Sequence, residues 1–106
     1  MTDCVLVWTT LAADADAAAF AETLVAERLA ACVVVQAPMD SFYRWNGKVE
    51  RGRERQIVIK TTAGRLPALG ARVRALHPYQ VPEWIVTPVV EGSDGYLAWI
   101  RESTGA

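Results

Sequence analysis

Residues 41–50 read Ser-Phe-Tyr-Arg-Trp-Asn-Gly-Lys-Val-Glu. This stretch decides the fold because it holds the end of one strand, a turn and the start of the next strand. Asn46 and Gly47 are the residue types most at ease with positive φ, which a two-residue hairpin turn demands. Ser41 to Trp45 are extended and half apolar on one side of that turn, and Lys48-Val49-Glu50 leads away on the other. The charged residues 50–55 read as a solvated ribbon edge, with Asp40, Glu50 and Glu54 on it. Gln56-Ile57-Val58-Ile59-Lys60-Thr61 then reads as a central strand. Arms this long reach beyond the core of a small domain, and an overhanging aromatic ribbon needs a partner.

Working outward, Cys4 to Thr9 is a short apolar run with β-branched and aromatic residues, read as a buried strand. Residues 14–30 are alanine-rich, with Asp14 and Asp16 at the front and Arg28 at the back. Alanine favours helix, and those charges suit the two ends of a helix dipole. Ala17, Phe20, Ala21, Leu24 and Val25 give this helix a narrow apolar face. Ala31 to Gln36 is the next strand. Leu66, Leu69, Val73 and Leu76 recur at helical spacing, Pro67 fits a first turn, and His77-Pro78 ends the helix. Residues 84–90 form the last strand, at an edge because Pro88 lacks a donor. Ser93 or Asp94 caps a final helix with Tyr96, Leu97 and Ile100.

The order is β-α-β-β-α-β plus a terminal helix. It predicts an α+β, ferredoxin-like sandwich in a single domain over residues 1–106, with a long hairpin between the second and third strands. One sheet face is left to cover. Tyr43, Trp45, Trp84 and Trp99 lie beyond the compact core, so oligomerisation is the economical cover.

The chain has 106 residues, 52% of them apolar and 22% charged, with 11 Lys+Arg against 12 Asp+Glu. That balance leaves no electrostatic footprint for nucleic acid and no basic run for a membrane surface. Cys4 and Cys32 both sit in apolar runs, which suits free thiols in a reducing compartment. Without a signal-like amino terminus or a spanning apolar run, the expectation is the cytoplasm. The common catalytic and phosphate-binding motifs do not occur, so no enzyme is expected.

Residues 77–83 read His-Pro-Tyr-Gln-Val-Pro-Glu and contain the single histidine. Pro78 stops the helix and Pro82 restricts Val81 to extended geometry, so the segment is stiff. His77 is then either a helix-end residue bonded to a carbonyl or the one imidazole available to a metal. Alone it makes no tight site for a late transition metal.

Five motifs in order carry a resemblance: Glu27-Arg28-Leu29-Ala30-Ala31-Cys32-Val33, Tyr43-Arg44-Trp45-Asn46-Gly47-Lys48-Val49-Glu50, Lys60-Thr61-Thr62, residues 77–83, and Tyr96-Leu97-Ala98-Trp99. With them the chain resembles the CutA divalent-cation tolerance family almost from end to end. The resemblance implies a cytoplasmic homotrimer whose hairpins lash neighbours together, with Tyr43, Trp45 and Trp84 at the interface. It implies a non-enzymatic role in the response to divalent metal ions, with weak binding of Cu²⁺ or another divalent cation at His77. The other two ligand positions in the family carry Thr9 and Leu76 here, and neither is a soft donor. The alternative expectation is a trimeric scaffold or signalling module, because a ferredoxin-like trimer offers inter-subunit clefts for a small molecule or a partner protein. Lys60, Tyr79, Gln80 and Glu83 are the expected lining.

Overall fold

Strand β1 (Cys4–Ala12) lies in the middle of one antiparallel sheet, between β4 (Lys48–Thr62), which pairs β2 (Cys32–Val35) on its far side, and β5 (Ile85–Pro88). A computed structural model describes residues 2–105. Helix α1 (Ala17–Ala26) follows β1, then come β2 (Cys32–Val35), β3 (Met39–Trp45) and β4 (Lys48–Thr62). A single 3₁₀ turn leads into α2 (Leu66–Leu76), and β5 (Ile85–Pro88) and α3 (Asp94–Thr104) complete the chain. The class is α+β, with one antiparallel sheet and three helices, as the sequence pattern predicts.

Alternation along the strands divides the sheet into two faces. Val5, Val7, Leu11, Ile57 and Ile59 point to one side, where Ala17, Phe20 and Leu24 of α1 and Leu69 and Val73 of α2 bury them. Burying each large side chain fully contributes about 2 kcal/mol. Helix α3 takes one end of the opposite face, with Leu97 and Ile100 on Cys4 and Ala31. Beyond α3 this second face is open. Leu6 and Trp8 are half-buried there, and Val34 and Ile85 are exposed.

Several boundaries differ from the sequence expectation. Helix α1 is shorter than residues 14–30 because the Asp16 carboxylate accepts from the Ala19 N–H at 3.0 Å and fixes its start. Arg28, with φ 60°, stops its continuation. The Arg28 guanidinium does not serve α1. It donates to the Glu102 and Gly105 carbonyls at the far end of α3, satisfying acceptors that the helix leaves free. Residues 50–55 are not a separate edge: they belong to β4, which runs unbroken for 15 residues. The final strand is Ile85–Pro88 rather than residues 84–90: Trp84 belongs to the preceding connection, and Val89 and Val90 to the one that follows.

The hairpin joins β3 to β4, with Asn46 and Gly47 at φ 50° and 77°, the pair of positive values that a type I′ turn requires. The first arm is interrupted by residues 36–38. Val35 pairs with Ile57, yet Met39 pairs with Glu54, so three residues on this arm face two on β4. The extra residue is a bulge, and it reverses which side chains face which way. Because of it Met39, Ser41, Tyr43 and Trp45 share a face with Glu50, Gly52, Glu54 and Gln56. This ribbon face continues the open face of the sheet.

Candidate functional site

A cleft of about 670 Å³ lies where the ribbon leaves the sheet. Thr10 and Gln56 form its base, Tyr43, Trp45, Glu50 and Glu54 one wall, and Tyr79, Gln80, Val81, Pro82 and Glu83 the other. The second wall is irregular backbone held by specific bonds. The phenol of Tyr79 donates to Glu54 Oε2 at 2.9 Å. The Gln56 side-chain amide donates to Glu83 Oε2 at 2.8 Å and to the Thr9 carbonyl at 2.7 Å. The stiff proline-bracketed segment is thus tied to both β1 and β4.

His77 is the anchor of that segment. It is buried, with Nε2 2.6 Å from the Thr10 carbonyl and Nδ1 3.1 Å from the Tyr79 backbone nitrogen. A backbone N–H only donates, so Nδ1 accepts and the proton sits on Nε2, which donates to Thr10. The Tyr79 ring stands edge-on to the imidazole at 4.7 Å between centroids. Both ring nitrogens are engaged, and no lone pair is presented to a metal ion.

The other positions matched to family ligands fit no better. Thr9 is fully buried on the helix-facing side, and its Oγ1 has no hydrogen-bond partner. Leu76 is half-exposed and apolar. Among the described residues, no three His, Cys, Asp or Glu side chains converge as a metal site. The donor set around His77 does not fit a copper ion.

Of the four cleft residues expected from the sequence, the structure brings together Tyr79, Gln80 and Glu83. Lys60 lies elsewhere. It is four residues beyond Gln56 on β4, roughly 13 Å along the strand, and its ammonium donates to the Tyr96 phenol of α3 at 3.0 Å. That bond raises the Lys60 pKa. Burial, then the bond to the Glu54 carboxylate, pushes the Tyr79 phenol up to about 12, so Tyr79 is a donor at every physiological pH.

The expected interface aromatics are all exposed to a similar degree, 38–46%. Tyr43 and Trp45 stand on the ribbon at 46% and 42%. The Tyr43 ring lies across Gly52, whose missing Cβ would sit 3.3 Å from the phenol oxygen. Trp84 packs its ring edge against Gly70 of α2, and Trp99 stacks at a tilt on Tyr96 within α3.

Sequence reasoning missed Met39, Glu50, Glu54 and Gln56 as cleft residues. The signal was present in Glu50-Arg51-Gly52-Arg53-Glu54-Arg55-Gln56, where acid, small or amide residues alternate strictly with arginine. Such a period of two assigns the carboxylates to one face of a strand and the guanidiniums to the other.

Comparison with known proteins places this geometry. A family profile described as CutA1 divalent ion tolerance protein matches residues 5–103. The divalent-cation tolerance protein CutA of Thermus thermophilus is 49% identical over 85 residues, covering 80% of this chain and 82% of that protein. The Escherichia coli protein of the same name is 39% identical over 102 residues, covering 96% of this chain and 91% of its own. A solved structure of the Thermus thermophilus divalent cation tolerance protein superposes with a TM-score of 0.92 at 44% identity, over 96% of this chain and 99% of that one. None of these names describes an enzyme. The chain belongs to the CutA divalent-cation tolerance family.

Proposed function

We propose that this protein acts in divalent-cation tolerance as a non-catalytic homotrimer, without a copper centre at His77. The observation that carries the second clause is the imidazole itself. Its Nδ1 accepts from Tyr79 and its Nε2 donates to Thr10, while Thr9 and Leu76 supply no soft donor. Its task is to hold the 77–83 segment on β1. The test is calorimetric titration of Cu²⁺ into the wild type and His77→Ala. Equal heats per folded chain support this reading, and loss of a saturable heat in the variant overturns it.

The trimer is supported by apolar surface that one chain leaves uncovered. Phe42 and Val49 on the ribbon are 67% and 72% exposed, and the open sheet face adds Val34 and Ile85. Patches of this kind mark interaction surfaces. A near-neutral charge balance favours another copy over nucleic acid or an anionic membrane as the cover. No helix among the described residues is long and apolar enough to cross a membrane. Two free thiols, Cys4 and Cys32, support a cytoplasmic setting.

The cleft favours a second reading, a trimeric signalling module that takes a small ligand beside the ribbon. Its size lies within the range of ordinary ligand pockets, and its walls mix aromatic faces with a few placed polar groups. A thermal-shift screen of metals and metabolites tests it, because any ligand of the native state raises the melting temperature. Stabilisation by a metabolite and by no metal is the expected result. A screen without any stabilising metabolite overturns this second reading.

A further inference from the structure

We propose that the arginine face of one copy's ribbon seats on the glutamate cleft of the next copy and so closes the trimer head to tail. The proposal rests on the trimer reading and names its seam. It puts a second copy of this chain where the ligand reading puts a small molecule.

The ribbon is two-faced in charge. Arg51, Arg53 and Arg55 continue the row of Ile57 and Ile59 on β4, and Asp40, Phe42 and Arg44 of β3 stand beside them. Four guanidiniums thus share this face with one carboxylate. Asp40 is divided between Arg51 and Arg53, at 3.1 and 3.4 Å. Among the described residues Arg44 and Arg55 are in no ion pair. The opposite face carries Glu50 and Glu54, with Glu83 across the cleft and Lys48 out at the tip. Among the described residues these carboxylates are in no ion pair either. The bonds that Glu54 and Glu83 accept come from a phenol and an amide, which are neutral. Each face keeps an uncancelled charge, and the two are opposite in sign.

Spacing lets the faces meet. Both rows belong to one strand, so Glu50 to Glu54 and Arg51 to Arg55 each span roughly 13 Å with the same two-residue repeat. A guanidinium holds a carboxylate through two parallel bonds. Apolar surface accompanies each row: Phe42 and Val49, 67% and 72% exposed, on the arginine face, and Tyr43 and Trp45 on the glutamate face. Symmetry selects the ring. A two-fold axis would set either face against itself and oppose like charges, whereas a head-to-tail contact joins unlike faces and closes. Complementary charge of this kind fixes the partner face and the register more than it adds affinity.

Sedimentation equilibrium over a dilution series tests the seam. One double variant combines Glu50→Arg with Glu54→Arg, and the other Arg51→Glu with Arg53→Glu. Each makes the two faces alike in sign and should need at least about tenfold more protein than the wild type to reach the trimer mass. Mixed in equal amounts, the two variants again offer unlike faces and should assemble at a lower concentration than either alone. Asp40→Asn makes the arginine face more positive, so it should not loosen the trimer although it removes the ribbon's own ion pairs. High salt should loosen the wild-type trimer. Far-UV circular dichroism checks that each variant is folded, and if a double variant is not, Asp40→Asn and the salt series decide. Double variants that stay trimeric, a mixture that assembles no better than its parts, a loosened Asp40→Asn trimer or a salt-insensitive wild type each overturn the seam. If the double variants stay trimeric and a metabolite stabilises them, the cleft belongs to a small ligand and the seam falls. A wild type that is monomeric throughout overturns the trimer reading itself.

Discussion

His77 shows how a residue type that invites a chemical role can be fully occupied by a structural one. Its two nitrogens close one bond to Thr10 and one to Tyr79 in a buried setting. His77→Ala leaves a carbonyl and an N–H without partners and opens a cavity, so it should cost about 2–4 kcal/mol in urea unfolding. Thr9 presents the reverse case. Its hydroxyl is buried without a partner, and Thr9→Val replaces it with a methyl group of the same shape. The same experiment should show a gain of about 1 kcal/mol, and a loss would mean that Oγ1 has a partner in solution. Tyr79 makes a pH prediction. Its phenol titrates near 12 in the folded protein, and the unfolded chain ionises near the ordinary value of about 10. The unfolded state therefore releases its proton first, so this contribution is whole below pH ~10 and falls as pH rises through the folded value. Tyr79→Phe should flatten the decline of the melting temperature across that window relative to the wild type.

The hairpin element rests on its turn. Gly47 has φ 77° and open space where a Cβ would stand, so Gly47→Ala meets conformational strain and no clash. Thermal unfolding should show a loss of about 1 kcal/mol with the fold intact. This turn, the helix stop at Pro78 and the apolar face of α2 were legible in the sequence because each depends on local chemistry: positive φ, a missing donor, a 3.6-residue period. The bulge at residues 36–38 was not. One extra residue leaves no mark on an apolar pattern, and only the pairing partner reveals it, yet it decides that Tyr43 and Trp45 face the cleft. Arg28 was misread for a related reason. Its charge suited the end of α1 nearby in sequence, while its guanidinium reaches α3 about 75 residues later. Lys60 likewise lies near the cleft strand in sequence, and the strand direction carries it to Tyr96. Local signals gave the elements and the wall at 79–83. The glutamate wall needed the register.

At the scale of the whole molecule, the single chain is not a finished surface. A radius of gyration of 14.4 Å exceeds the ~13 Å of a compact domain of this length. The accessible area, 6326 Å², likewise exceeds the ~5,800 Å² usual for its mass. Both excesses come from a ribbon that stretches the molecule to 44 Å along its longest axis against 26 and 24 Å on the others. Two-stranded ribbons are marginal in water by themselves, so the outer half of this one is expected to be ordered by contact with neighbouring copies. Sedimentation equilibrium should give three times the 11.6 kDa chain mass. Phe42→Glu combined with Val49→Glu places carboxylates on the exposed ribbon face while leaving the buried clusters untouched. If the ribbon lashes the copies together, this double variant should shift the mass towards the monomer, lower the melting temperature and retain its far-UV circular dichroism. A variant that stays trimeric would place the subunit contacts on the open sheet face around Leu6, Val34 and Ile85, with the ribbon tip free in solvent.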